Sequence, residues 1–548
     1  MKMIMIRRWV MSLAALLACM GIAQGYPVGP AVDLKEITEE ADIIFKGTAV
    51  SNAPVQDDWF KPQEGFVARE TLFKVISVIK GEWSGDKLMF RHYDADPHPY
   101  GFMFPYYHFE SDRTYVVFAK SGGAPGIFRQ LWVNLKWKPD QGVLLCADGK
   151  PVAAKIVKEV LWSELTAMLE SANDSNVIYA IGQLDQMSGG GRGFDSSMDF
   201  DRKDVLAAVR GFMSSRESKI GHAAIALVGS HNPYMFDERT LQWLGTVGAV
   251  EVPGIGKMDP KMRNAGGELY SKDLIVLADG KAPNETRAMA IRALGLVREP
   301  LLMKPIERWM TDPAPNVRAS AALLLADFSG PEPCRHLKAL AGDAAPEVRA
   351  CVARAAGFGQ KVEMAEVLAK LLVDEQFKVR QAAAMSLLSF SPKNEAIGEI
   401  FRVNIENEEF KPLFLIGLAR ENPADCLDAL ARAVVEKTKP KDFWGGQTPP
   451  LTAWEILFRY LQAQPVDEVR SGKFDGYLDA IDKVDMGNCS SSEPRDVYVF
   501  YVQRGMTERA KKFRQEAARA APYDLDYYFK QVDENPSLYK RSRSRPER

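Results

Sequence analysis

Three of the six histidines, His92, His98 and His108, fall within 17 residues, and Asp94 and Asp96 stand between the first two. In the run His92-Tyr93-Asp94-Ala95-Asp96-Pro97-His98, imidazole and carboxylate donors take alternate positions. Alternate positions share one face of an extended strand, so these side chains could converge on zinc or another divalent ion. The opposing reading is a polar, aromatic-rich loop. Pro97, Pro99, Tyr100, Pro105, Tyr106 and Tyr107 surround the donors, and proline is kept out of regular strand pairing. No CxxC, Cys/His zinc spacing, Walker loop, nucleophile elbow or HExxH occurs in the chain. Gly189, Gly190, Gly191 and Gly193 could cradle a phosphate only if a strand led into them, and none does, so residues 188–201 read as a loop.

A second set of charged residues is periodic. Arginine returns every 31 residues, at Arg287, Arg318, Arg349 and Arg380, each time opening an alanine- and leucine-rich stretch. Thr286, Val317, Val348 and Val379 precede it; Ala290, Ala321, Val352 and Ala383 follow three later; Leu294, Leu325, Ala356 and Leu387 follow seven later. Those offsets mark one face of a helix, the buried stripe of the second helix in a repeated hairpin. Ile306, Leu337 and Leu368, with Trp309, Leu340 and Leu371, make the matching columns of the first helix. Asp312, Asp343 and Asp374 lie six residues before three of the arginines, placed to cap the turn amides while the guanidinium reaches a carboxylate of the same or the adjacent unit. Pro313, Pro315 and Pro346 fall in the turn or the first helical turn. The arginines are therefore expected to form a structural ladder; a row of cations binding an anionic polymer is the alternative.

This spacing of Asp, Val-Arg and Ala resembles the HEAT family, and the short unit looks like the HEAT-like repeats named after phycobilisome lyases. The resemblance is best defined over residues 283–390 and implies an α-α solenoid. It extends to an array over 156–435, with segments near 188–201 and 245–267 as insertions. A bilin-lyase role implied by the name is set aside, because no bilin-attachment feature is present.

Ahead of the helices, residues 26–155 carry strand-like runs: Ile43 to Gly47, Leu72 to Gly81, Lys87 to Phe90, Tyr115 to Ala119 and Gly142 to Leu145. These predict a small β-barrel or sandwich. The order of Ala-Asp-Ile-Ile-Phe-Lys-Gly, Val-Ile-Ser-Val-Ile-Lys-Gly and Tyr-Val-Val-Phe-Ala is similar to the OB-like, tissue-inhibitor-of-metalloproteinase-like barrels of exported bacterial proteins. The metal-chelating N-terminal cysteine of those inhibitors has no counterpart, since Tyr26 is the expected mature N-terminus. The fold class expected is multidomain: a β-domain, a HEAT-like α-α solenoid and a helical C-terminus.

Residues 1–25 read as an export signal, with Lys2, Arg7 and Arg8, an apolar segment from Trp9 to Ala18, and a small-residue cleavage site at Ala23-Gln24-Gly25. Leu16-Leu17-Ala18-Cys19 resembles a lipoprotein box that would lipidate Cys19, although Leu17 fits it poorly. The other five cysteines are scattered and give no disulfide framework; Cys334 and Cys351 read as buried small hydrophobes. With 548 residues, 46% hydrophobic, 26% charged and a formal net charge of -2, the chain is large enough for several cores and lacks the basic excess of a dedicated nucleic-acid binder. No later segment is long and apolar enough to span a bilayer.

A Pro/Gly-rich linker at 436–450 precedes helices at 451–535. Gly505, Ala510, Ala517 and Pro522 have the offsets of a single tetratricopeptide unit, though an ordinary hairpin suffices. The basic tail at 536–548 is placed to touch an anionic envelope surface or simply to aid solubility. Together these features predict an exported, non-catalytic scaffold that grips a protein partner along the concave side of the solenoid; a metal-binding or metal-dependent enzyme site in the β-domain is the alternative. No cofactor is expected beyond that divalent metal.

Overall fold

Six strands form at the N-terminus: β1 (Ile43–Pro54), β2 (Phe66–Lys80), β3 (Lys87–Ala95), β4 (Thr114–Ser121), β5 (Ile127–Gln130) and β6 (Val143–Leu145). The computed structural model describes residues 34–60, 66–95, 107–131, 143–189, 199–230, 233–235, 264–297, 302–359, 361–390, 394–404, 409–419, 423–435, 453–482, 492–520 and 525–534. The export signal, Cys19, Asp96, His98, Cys489, the 436–450 linker, Pro522 and the basic tail lie outside these residues.

Strand β1 pairs antiparallel with both β2 and β4, β2 with β3, and β4 with β5, while β3 and β5 run parallel. The pairings therefore close a ring, β1-β2-β3-β5-β4-β1, and β6 adds to β4. This is the small β-domain expected, a six-stranded sheet whose β1 pairs with both β2 and β4. Phe45, Phe73, Phe90, Phe109 and Tyr115 fill it edge to face, with Phe73–Phe109 at 5.1 Å and Phe109–Tyr115 at 5.0 Å. The strand β5 is new relative to the runs read from sequence.

The chain divides into two compact units, Met1–His231 and Asn232–Arg548. In the first, the helices Val157–Leu169, Asp174–Gln186, Arg202–Val209 and Ser218–Val228 follow the strands. Lys46 on β1 reaches Glu164 on the first of these helices at 2.6 Å, and Tyr179 Oη accepts from the Leu145 amide at 3.2 Å. The strands and the helices that follow them are thus fastened by polar contacts.

In the second unit, second helices begin at Asn284, Pro315, Pro346 and Phe377, at the 31-residue period of the arginines. Pro315 and Pro346 occupy the first helical position, where the missing N–H costs nothing. All three columns of the second helix are buried, from Val317, Val348 and Val379 to Leu294, Leu325, Ala356 and Leu387, as are the Ile306 and Trp309 columns of the first. Consecutive second helices approach closely: a Cβ on Gly357 would lie 2.9 Å from the Ser386 Cβ of the next unit. Gly266 and Gly267, read as insertion loop, are instead helical within Ala265–Leu269. The reason is Asn264, whose buried side chain accepts from the Gly267 amide and donates to the carbonyls of Ala293 and Gly295.

Leu415, Leu430, Leu457, Leu478, Val497, Phe513 and Phe529 belong to one hydrophobic cluster, so the helices before and after residues 436–450 share a core. Among the described residues, Cys146, Cys334, Cys351 and Cys426 are buried and form no disulfide, and no helix is long and apolar enough to cross a membrane.

Candidate interaction surface and its arginine ladder

Each ladder arginine uses its whole fork. Arg318 donates from Nε and Nη2 to the two carboxylate oxygens of Asp343, both at 2.8 Å, and from Nη1 to the carbonyls of Asp312 and Pro313 at 2.8 and 3.1 Å. Arg349 repeats this on Asp374 at 2.7 and 2.9 Å and on the carbonyls of Asp343 and Ala344. Arg287 pairs with Asp312, and Arg380 ends the row on Glu409 at 2.6 and 2.7 Å. The aspartate six residues upstream therefore gives its arginine a backbone carbonyl, and the carboxylate partner comes from the next unit. Each carboxylate also takes a turn amide, that of Ala314, Ala345 or Gln376.

The fork is planar and rigid, so a bidentate pair fixes distance and angle together. The arginine hydrogen bonds hold the Asp343 and Asp374 carboxyls below the ordinary carboxylate range, and burial of those carboxyls opposes the shift. Arg349 and Asp374 expose only 11% and 9% of their side chains. These arginines are consumed internally, which leaves little of them to face a ligand.

The histidine and acid donors of the barrel separate. His92 is fully buried, with Nε2 2.9 Å from Thr71 Oγ1 and Nδ1 donating to the Tyr93 carbonyl at 3.1 Å. Its ring lies 4.9 Å from Phe109 and stacks near Phe90. His108 approaches Asp94 at 3.3 Å, and Arg69 Nε lies 3.5 Å from the same carboxylate. The structure thus brings His108 and Asp94 together beside a cation and sets His92 apart in the core. Nearby, Asp57 in the β1–β2 loop receives Arg91 at 2.9 Å and Arg129 at 3.3 Å, with Arg129 over the Trp59 ring. That network ties a loop to two strands.

Burial pushes His92 down to about 4. The unfolded chain takes up this proton near pH 6.5 and the folded chain resists it, so the contribution of His92 is complete above about pH 6.5 and is lost as pH falls toward 4. The first unit is expected to melt at lower temperature at pH 5 than at pH 7, and His92→Gln, which keeps a polar partner for Thr71, should remove part of that difference. Circular dichroism melts across this range decide it; an undiminished difference in the variant would assign the acid sensitivity to other groups.

Sequence comparison bears on the ladder. Residues 271–357 match the family model of the HEAT repeats. The stretch is a HEAT-repeat segment. No curated protein sequence matches the chain. Solved structures similar to parts of it include YibA of Escherichia coli, 15% identical over 55% of this chain and 94% of that one, with a TM-score of 0.32. A computationally designed armadillo repeat protein for modular peptide recognition is 17% identical over 41% of this chain and 98% of its own, at 0.25. Importin beta is 13% identical over 69% and 55%, at 0.30. These likenesses are distant.

Two features escaped the sequence reading. Glu409 closes the ladder at an offset of 29 instead of 25 residues, which breaks the period. Lys46 and Glu164 are 118 residues apart, and the available signal was a lysine inside the apolar run Ile43-Ile44-Phe45-Lys46-Gly47.

Proposed function

We propose that this protein is an exported, non-catalytic scaffold that holds a protein partner along its HEAT array. The observation that carries the reading is the HEAT segment at 271–357, whose units are locked by bidentate arginine pairs. Stacked hairpins present a long surface, and a ladder that fixes the step between units keeps it in shape. The N-terminal pattern of Lys2, Arg7, Arg8, an apolar run and a small-residue site supports export.

Burial directs where the partner sits. From Val348 to Gly357 every residue of the second helix is buried, and Gln381 to Leu387 likewise. Among the described residues the most exposed apolar side chains of the array are Val373 (80% exposed), at a turn edge, and Val276 and Val403 (70% each), on the helices Ser271–Asp279 and Glu395–Asn404. We therefore assign the contact to first helices and turns.

The test is co-purification after cross-linking in intact cells, comparing the native chain with a Val276→Glu/Val373→Glu variant. Both positions are exposed, so melting should stay within about 0.5 kcal/mol of the parent. A stoichiometric partner retained by the parent and lost by the variant is expected. Equal retention would move the contact elsewhere, and the absence of any stoichiometric partner would sink the scaffold reading.

A further inference from the structure

Two carboxylates and an imidazole meet where two repeats adjoin. Glu332 and His336 are one turn apart on the first helix Pro331–Leu340, and Glu307 stands on Met303–Trp309 of the preceding unit. One ligand atom from each lies within 4.8 Å of the other two. We propose that Glu307, Glu332 and His336 bind a zinc ion that links these consecutive repeats.

The donor set suits the metal, since zinc takes imidazole nitrogen and carboxylate oxygen together. Bonds of about 2.1 Å in a tetrahedron give an edge of about 3.4 Å. His336 Nε2 stands 3.5 Å from Glu307 Oε1, already the separation of two ligands on one ion. Glu332, four residues before His336, shares its helix face. The Glu307 and Glu332 side chains are 48% and 53% exposed, so each can swing the remaining distance and leave a fourth position to water.

His336 is the anchoring donor. Its side chain is 16% exposed, and its Nε2 is buried and makes no hydrogen bond among the described residues. A buried ring nitrogen without a hydrogen bond is costly, and a metal bond satisfies it. The competitor for Glu332 is Arg335, at 3.2 Å with 72% of its side chain exposed. Such exposed pairs contribute little and yield readily. Because the ligands come from two units, binding should stabilise the folded array. The inference stands whether or not the array holds a partner.

The full chain, stripped with EDTA and dialysed, is titrated with zinc chloride by calorimetry and melted with and without zinc. One zinc per chain and a higher melting temperature are expected. Removal of a ligand should cost at least the roughly 10–100-fold in affinity that loss of an outer-shell partner costs. Glu332→Gln, at an exposed position, and His336→Gln should both show that loss, while His108→Gln should bind as the parent does. Should His336→Gln fail to fold, Glu332→Gln decides. No zinc heat and no melting shift would overturn the proposal. So would unchanged affinity in Glu332→Gln, or loss in His108→Gln instead, which would move the ion to the barrel.

Discussion

Arg349→Ala is expected to destabilise the second unit by about 3 kcal/mol, the lower end for breaking a largely buried ion pair. For a unit of this length that corresponds to a melting temperature lower by roughly 4–5 °C. The truncation removes two hydrogen bonds to Asp374, at 2.7 and 2.9 Å, and two to the carbonyls of Asp343 and Ala344. It also strands a 9%-exposed carboxylate whose remaining help is the Gln376 amide. Arg349→Lys should recover only part, because an ammonium cannot engage two oxygens and two carbonyls in one plane. Arg335→Ala, an exposed pair, should cost under about 0.5 kcal/mol. The carboxyls of Asp343 and Asp374 titrate below their ordinary value near 3.8, so the ladder's contribution is complete above about pH 4 and falls away below it. Unchanged melting in Arg349→Ala together with lost partner binding would make the arginine a binding residue and reverse its assignment.

The second large effect is expected at Lys46. Its ammonium is 1% exposed and 2.6 Å from Glu164, with Asp148 at 3.7 Å. Lys46→Met leaves Glu164 buried without its countercharge, at a cost of about 3–5 kcal/mol. Replacing both, Lys46→Met with Glu164→Leu, removes the charges together and should regain most of that loss, since an apolar pair of similar volume is often no worse than a buried ion pair. A double-mutant cycle by denaturant unfolding measures the coupling. A double variant as unstable as the single would show that packing at the strand-to-helix contact, and not the charge pair, sets the cost. The neighbouring Cys146 thiol is pushed well up by burial and by the Glu164 charge, so it should resist alkylation until the first unit unfolds.

The repeat was legible because its signal is repeated: Val317, Val348 and Val379 each read the same way, and one misreading would not alter the period. The step from Asp312 to Arg287 of the previous unit follows from the same period, being 25 residues, or 31 less six. What the sequence could not supply was which of two facing carboxylates a guanidinium selects, and Glu409 shows that the choice depends on a turn outside the period. The barrel was legible where strands are long. Strand β5, only Ile127–Gln130, holds its place by parallel pairing with β3, a contact between residues about 38 apart that no local pattern carries. His92 illustrates a parity that was readable: Leu88 and Phe90 are buried on alternate positions of β3, and the same alternation takes His92 inward. Its companions were read as donors on chemistry alone. The pairing of Lys46 with Glu164 joins strand to helix across 118 residues, beyond the reach of any local spacing.

Cross-linking in intact cells, read out as the residues that carry the cross-links, tests the scaffold role most directly. Links from residues 264–435 to one partner present in stoichiometric amount are predicted. Links confined to the barrel residues 34–145, or no stoichiometric partner at all, would contradict it.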